Sequence, residues 1–268
     1  MSYRDAVMAA KYAGGSNEQA TALHEHRLET ISEGEGYFDF DVPRGIVVHV
    51  VPDAVYDDGY AIDLAEHSIL PEANPSRPTQ LPVLGNHDAR GTWTADGFGA
   101  YVKRESADER EDDCVGYTHL FSNGVIESAS AIPFDGMWEE NESNQNEPTR
   151  REAKRLDGRT LELDLTRCVR RYLRVLAYHQ QMAPIHVTLT MYGVGGWLLD
   201  SNDRKSDDAG RIAEEILAPF PVSLSNFDAD VRTELADPID ALWRGAGYSG
   251  SPFFDSGEWT LRSAFDGQ

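Results

Sequence analysis

The chain has 268 residues, 40% of them hydrophobic, enough for one large core or two small ones. Its 46 acidic and 24 basic residues leave a formal net charge of -22, which weighs against binding polyanions by overall charge and leaves that to a local patch. Cys114 and Cys168 lack CxxC spacing, no run of 18 apolar residues occurs and the N-terminus has no basic-then-apolar signal, so no disulfide, zinc site, membrane span or secretion is expected and the chain reads as cytoplasmic.

Residues 2–13 read as a short helix ended by Gly14-Gly15. Ser16 or Asn17 then caps a second helix to about Ser32, with Leu23, Leu28 and Ile31 near one face. These make an N-terminal helical segment, 1–33; residues 34–268 read as a single α+β domain. The run GIVVHVVP, Gly45 to Pro52, predicts a central strand buried on both faces. His49 inside it reads as a satisfied core or edge histidine. Residues 53–82 are irregular and proline-rich, with room for short strands or one short helix near Ile62 to His67.

The chain is organised around Gly97 to Ala131. Gly97 to Val102 starts an aromatic-rich strand. Tyr117-Thr118-His119-Leu120-Phe121 alternates, Ser122-Asn123-Gly124 turns, and Val125 to Ala129 returns. Asn-Gly supplies the positive φ of a tight hairpin. The polar stretches 105–113, 135–149 and 201–210 read as mobile, solvated loops. The strongest helix is expected over 161–182, where Leu165, Cys168, Val169, Tyr172, Leu173 and Leu176 recur at spacings of three and four. A strand follows at Ile185 to Met191, then a glycine turn at 193–196, with Trp197-Leu198-Leu199 as its returning strand. Pro221 to Leu224 reads as a last strand, and Asp237-Pro238 opens a helix through Trp243. The predicted fold is α+β: a mixed, mainly antiparallel sheet with a long covering helix and flanking terminal helices.

Three motifs hint at chemistry. Gly85-Asn86-His87-Asp88 matches the metal-binding segment of calcineurin-like phosphoesterases, but that family's DxH, GDxxD and GHxH elements are missing, and a two-metal site needs them. His24-Glu25-His26 sets histidines at i, i+2, which share no helix face and lack the i+4 partner of HExxH. Gly193-Val194-Gly195-Gly196 follows a strand but has neither GxGxxG nor Lys-Ser/Thr, so a tight turn is expected rather than a nucleotide loop. No serine sits in GxSxG, so a nucleophile-elbow hydrolase has no support.

The charge pattern at 150–174 is more informative. It holds nine basic residues against four acids, a local +5. Arg167, Arg170, Arg171 and Arg174 follow i, i+3, i+4, i+7 and form a stripe opposite the leucines. Arginine forks suit phosphate or carboxylate. The stripe either pairs with the protein's own acids or contacts nucleic acid or an acidic protein.

The order of the segments GIVVHVVP, ADGFGAYV, YTHLFSNGVIES, YLRVLAYHQQMAPIHVTLTMYGVGGWLL and DPIDALWRGAGYSGSPFFDSGEW resembles the C-terminal region of Schlafen-type, Alba-like putative DNA-binding proteins of bacteria and archaea, often labelled ATP-binding. The likeness runs from about Arg27 to Trp259. About 26 residues precede it, too few for the DNA-binding domain that lies upstream in those proteins, so neither DNA nor ATP binding is carried over. The resemblance implies a free-standing accessory domain and transfers no catalytic residue. The acidic composition with only four lysines is similar to that of haloarchaeal cytoplasmic proteins, whose salty solvent screens self-repulsion over roughly 3 Å at 1 M. The expected function is a non-enzymatic interaction or accessory module, linked to nucleic-acid transactions or defence through a protein partner, with no cofactor, metal or catalytic residue. Its interaction residues are Arg167, Arg170, Arg171 and Arg174. The alternatives are a metal-dependent hydrolase using His87 and Asp88, and direct nucleic-acid binding through the same stripe.

Overall fold

A computed structural model describes residues 3–57, 61, 62, 64, 81–85, 89–104, 113–134, 154–201, 210–218, 220–255 and 258–260. The chain runs α1 (Tyr3–Ala10), α2 (Ser16–Ser32), β1 (Gly45–Pro52), β2 (Arg90–Thr94), β3 (Gly97–Lys103), β4 (Cys114–Phe121), β5 (Ile126–Ser130), β6 (Arg155–Asp157), α3 (Gly158–Tyr178), β7 (Ile185–Tyr192), β8 (Leu198–Asp200), β9 (Ile216–Leu217), β10 (Val222–Leu224), α4 (Val231–Glu234) and α5 (Ala236–Gly245). The fold is α+β. Its sheet has the order β10-β7-β1-β5-β4-β3-β2, every neighbouring pair antiparallel, and β9 joins β7.

β1 lies at the centre with all eight residues buried, as its uninterrupted apolar run requires. Side chains alternate between the faces. Ile46, Val48 and Val50 belong to one core, which α3 and α5 cover with Leu165, Val169, Leu173 and Trp243. Val47 and Val51 face the other side, where α1 and α2 close the sheet with Ala6, Ala10, Leu23 and Ile31. No helix among the described residues is long and apolar enough to cross a membrane.

The long helix starts at Gly158, three residues before the apolar periodicity begins. Asp157 accepts hydrogen bonds from the Thr160 amide (3.1 Å) and hydroxyl (2.9 Å), which fixes the N-terminus. It ends at Tyr178 rather than 182, because Gln180 has φ 56° and leaves helical geometry.

The segment after the glycine turn departs from expectation. β8 does not return along β7 but pairs in parallel with β6, Leu199 opposite Leu156. One edge of β7 is held by β1 and the other by β9 and β10, so no edge remains. Most of the polar stretches 105–113 and 201–210, and all of 135–149, lie outside the described residues, as does most of 62–67.

Candidate functional site

Burying the leucine stripe of α3 against the sheet turns its arginines outward. Arg170 and Arg174 are exposed, and Arg167 and Arg171 are half-buried. The helix brings all four to one face. Two of the local acids do little to neutralise it. Glu162 turns inward beneath α5, accepting hydrogen bonds from Trp243 Nε1 and Ser251 Oγ. Asp164 is largely buried and approaches Arg167 at 3.5 Å. Among the described residues no carboxylate lies within ion-pair distance of Arg170, Arg171 or Arg174.

A second constellation lies under α2, where the sequence pointed to nothing. Sheet register sets Thr188, His49, Glu127 and His119 side by side on β7, β1, β5 and β4. α2 lowers His24 and Arg27 onto this row. Arg27 grips Glu127 in a fork, Nε to Oε2 at 2.7 Å and an Nη donor to Oε1 at 3.0 Å. Tyr117 donates its hydroxyl to Oε1 at 2.7 Å. His49 Nε2 meets Oε2 at 3.0 Å, His49 Nδ1 meets His24 Nδ1 at 2.7 Å, and His24 Nε2 meets Thr190 Oγ1 at 2.8 Å.

Glu127 sets one end of this chain. A carboxylate only accepts, so His49 carries a proton on Nε2 and donates it to Oε2; of the two facing Nδ1 atoms one donates and the other accepts, and Thr190 completes the row at His24 Nε2. Burial alone would raise the Glu127 pKa, but the charge of Arg27 and the hydrogen bonds of His49 and Arg27 outweigh it and hold the group well below the carboxylate range. Burial, and then His49, push His24 well below an ordinary histidine. His119 falls to about 4, chiefly through burial; its Nε2 meets Thr94 while Nδ1 has no partner. Glu127 and His49 are fully buried and Arg27 nearly so. A substrate has no route to them, so the cluster belongs to the core.

His49 is therefore a satisfied core histidine, as expected, but its partners are ionic. His24 and His26 part company: the first is buried on His49 and the second is half exposed. The glycine loop is a turn, with φ 66° at Gly193 and 79° at Gly196. A Cβ built on Gly195 would lie 2.3 Å from the Glu215 carboxylate, an acid placed where phosphate would have to sit. Asn86, His87 and Asp88 lie outside the described residues. Among the described residues no three His, Cys, Asp or Glu side chains converge as metal ligands.

Comparison with protein-family models, curated proteins and solved structures finds no match for this chain.

Proposed function

We propose that the protein is an interaction module that engages an acidic surface of a partner protein through the outer face of α3. The observation that carries this reading is the row Arg170, Arg171 and Arg174, which finds no carboxylate among the described residues in a chain of net charge -22. Among the described residues, rich in acids as they are, none neutralises these arginines. Guanidinium forks on a rigid helix suit bidentate contact with carboxylates. The segment order similar to the accessory region of Schlafen-type, Alba-like proteins agrees with a role in nucleic-acid transactions or defence exercised through a partner in the cytoplasm. Direct nucleic-acid contact through Arg167, Arg170, Arg171 and Arg174 is the second reading, favoured by the same forks and opposed by the overall charge.

The test is affinity capture of the full chain with and without nuclease, beside an Arg170→Glu, Arg174→Glu variant. A protein that survives nuclease, is lost in the variant and binds the purified chain less tightly as salt rises supports the module. Binding of purified nucleic acid, with a salt slope reduced in the variant, replaces it with the second reading. Binding unchanged by the double charge reversal removes α3 from the account.

A further inference from the structure

A separate cluster lies at the opposite end of α2, where three sheet strands meet the helix N-terminus. His186 on β7 stands opposite Ser223 on β10 and Val51 on β1. Asp53 lies just past the end of β1, at the start of a 3-10 turn over Asp53–Tyr56, and its amide donates to the Pro184 carbonyl at 3.2 Å. His186 Nε2 meets Asp53 Oδ1 at 2.7 Å, and His186 Nδ1 meets Ser223 Oγ at 2.8 Å. The imidazole is buried, the Asp53 side chain is 35% exposed and Ser223 is open to solvent. A nucleophile within reach of a base, and that base oriented by an acid, is the arrangement of nucleophilic catalysis. Here the two ring nitrogens exchange their usual duties. Asp53 accepts from Nε2–H, and once the Asn17 amide is turned so that its oxygen no longer faces Nδ1, that nitrogen is the base.

Two clefts adjoin the cluster. One, of about 390 Å³, is lined by His186 and the first turn of α2 from Gly15 to Glu18. The other, of about 510 Å³, contains Asp53, Ser16 and Tyr56. Tyr56 is buried, and among the described residues its hydroxyl has no hydrogen-bond partner. The amides at the start of α2 point along the helix axis into the first cleft and offer donors to a developing negative oxygen. Glu18, Asp53 and Asp57 outnumber the single cation Lys11 around the two clefts, which disfavours anionic substrates.

We propose that Ser223, His186 and Asp53 hydrolyse small neutral or cationic carboxylic esters at this cluster, with Ser223 on the open surface beside the cleft that His186 lines. Ser223 Oγ forms a bond to the acyl carbon while its proton passes to His186 Nδ1. The carbon–oxygen bond to the alcohol breaks, and the departing oxygen takes that proton. Water then adds to the acyl carbon, giving a proton to Nδ1, and the bond to Oγ breaks as Ser223 recovers it. The sum is ester plus water to acid plus alcohol, with no further reactant. Asn17 closes the cluster, its side-chain carbonyl 2.6 Å from Ser223 Oγ and 2.7 Å from His186 Nδ1. A half-turn of this amide presents N–H to Oγ and frees the hydroxyl proton for the histidine.

The test treats the full chain with a fluorophosphonate, maps the adduct by mass and measures turnover of p-nitrophenyl acetate. One adduct on Ser223 is expected, with hydrolysis abolished in Ser223→Ala and lowered on the order of 10²–10⁴-fold in His186→Gln. Ser223 is exposed, so Ser223→Ala keeps the native melting temperature and its loss of labelling is not unfolding. A chain that takes no label, or an adduct that persists in Ser223→Ala, overturns the assignment. The Arg170→Glu, Arg174→Glu variant keeps full esterolysis, so this site and the α3 face stand or fall separately.

Discussion

Strand β1 samples both sides of the sheet, and the two sides are held together differently. Toward α3 it sends Ile46, Val48 and Val50 into a core of leucine, valine and tryptophan. That attachment is non-directional and scales with the apolar area removed from water. Toward α2 it sends His49 into a chain of hydrogen bonds ending on the Arg27–Glu127 pair. Desolvating two charges is costly, and only matched geometry offsets it. The first face should tolerate changes of shape that conserve volume. The second should fail when one partner is removed.

The largest expected effect tests that claim directly. Glu127→Ala strands a buried guanidinium with His49 and Tyr117 and should cost roughly 3–5 kcal/mol in urea unfolding. Adding Arg27→Met should recover much of the loss, since no unpaired charge then remains. A double variant no more stable than Glu127→Ala would mean that the charge pair is not what fixes this face. On the other side, Leu173→Ala should cost about 3 kcal/mol, while Leu173→Met should stay below about 1.5 kcal/mol. Glu127→Gln, an equally close match in shape, should not be tolerated so well. Equal losses for these two isosteric changes would erase the distinction between the faces.

The same contrast decides what could be read from the sequence. The α3 face was legible because Leu165, Val169, Leu173 and Leu176 carry the helical period and GIVVHVVP carries none of the alternation of a half-exposed strand. The fold class followed from these. The α2 face was not legible because its buried helix positions include His24 and Arg27, which break the apolar period. One part could have been found: the hairpin pairs Leu120 with Ile126, so His119 must stand opposite Glu127. His49 reaches Glu127 only through pairing of strands 78 residues apart. Ser223 likewise meets His186 through edge pairing with no local motif, and a search for GxSxG passes over it. The arginine stripe was legible as a helical repeat, since a helix already known to bury its leucines must expose what lies opposite.

The finest separation of the two faces is their response to pH. Under α3, burial raises the Glu162 pKa to about 7, against the hydrogen bonds from Ser251 and Trp243, and its second oxygen has no partner among the described residues. The folded state therefore holds a proton that the unfolded chain releases above its ordinary value near 4.5. This contribution is complete below about 4.5 and is lost as pH rises to about 7. Under α2 the sign reverses. His119, held near 4 by burial, refuses a proton that the unfolded chain takes up below 6.5, so its contribution is complete above 6.5 and is lost as pH falls toward 4. The lowered His24 acts in the same direction. The two slopes oppose each other across one window, and the native chain should show a flatter profile than either face alone. Glu162→Gln removes one of them. Urea unfolding at fixed salt should then fall more steeply between pH 6.5 and 4.5 than in the native chain, by roughly 1–3 kcal/mol over that range. A variant whose profile runs parallel to the native one would mean that Glu162 ionises normally and that only the α2 face senses pH.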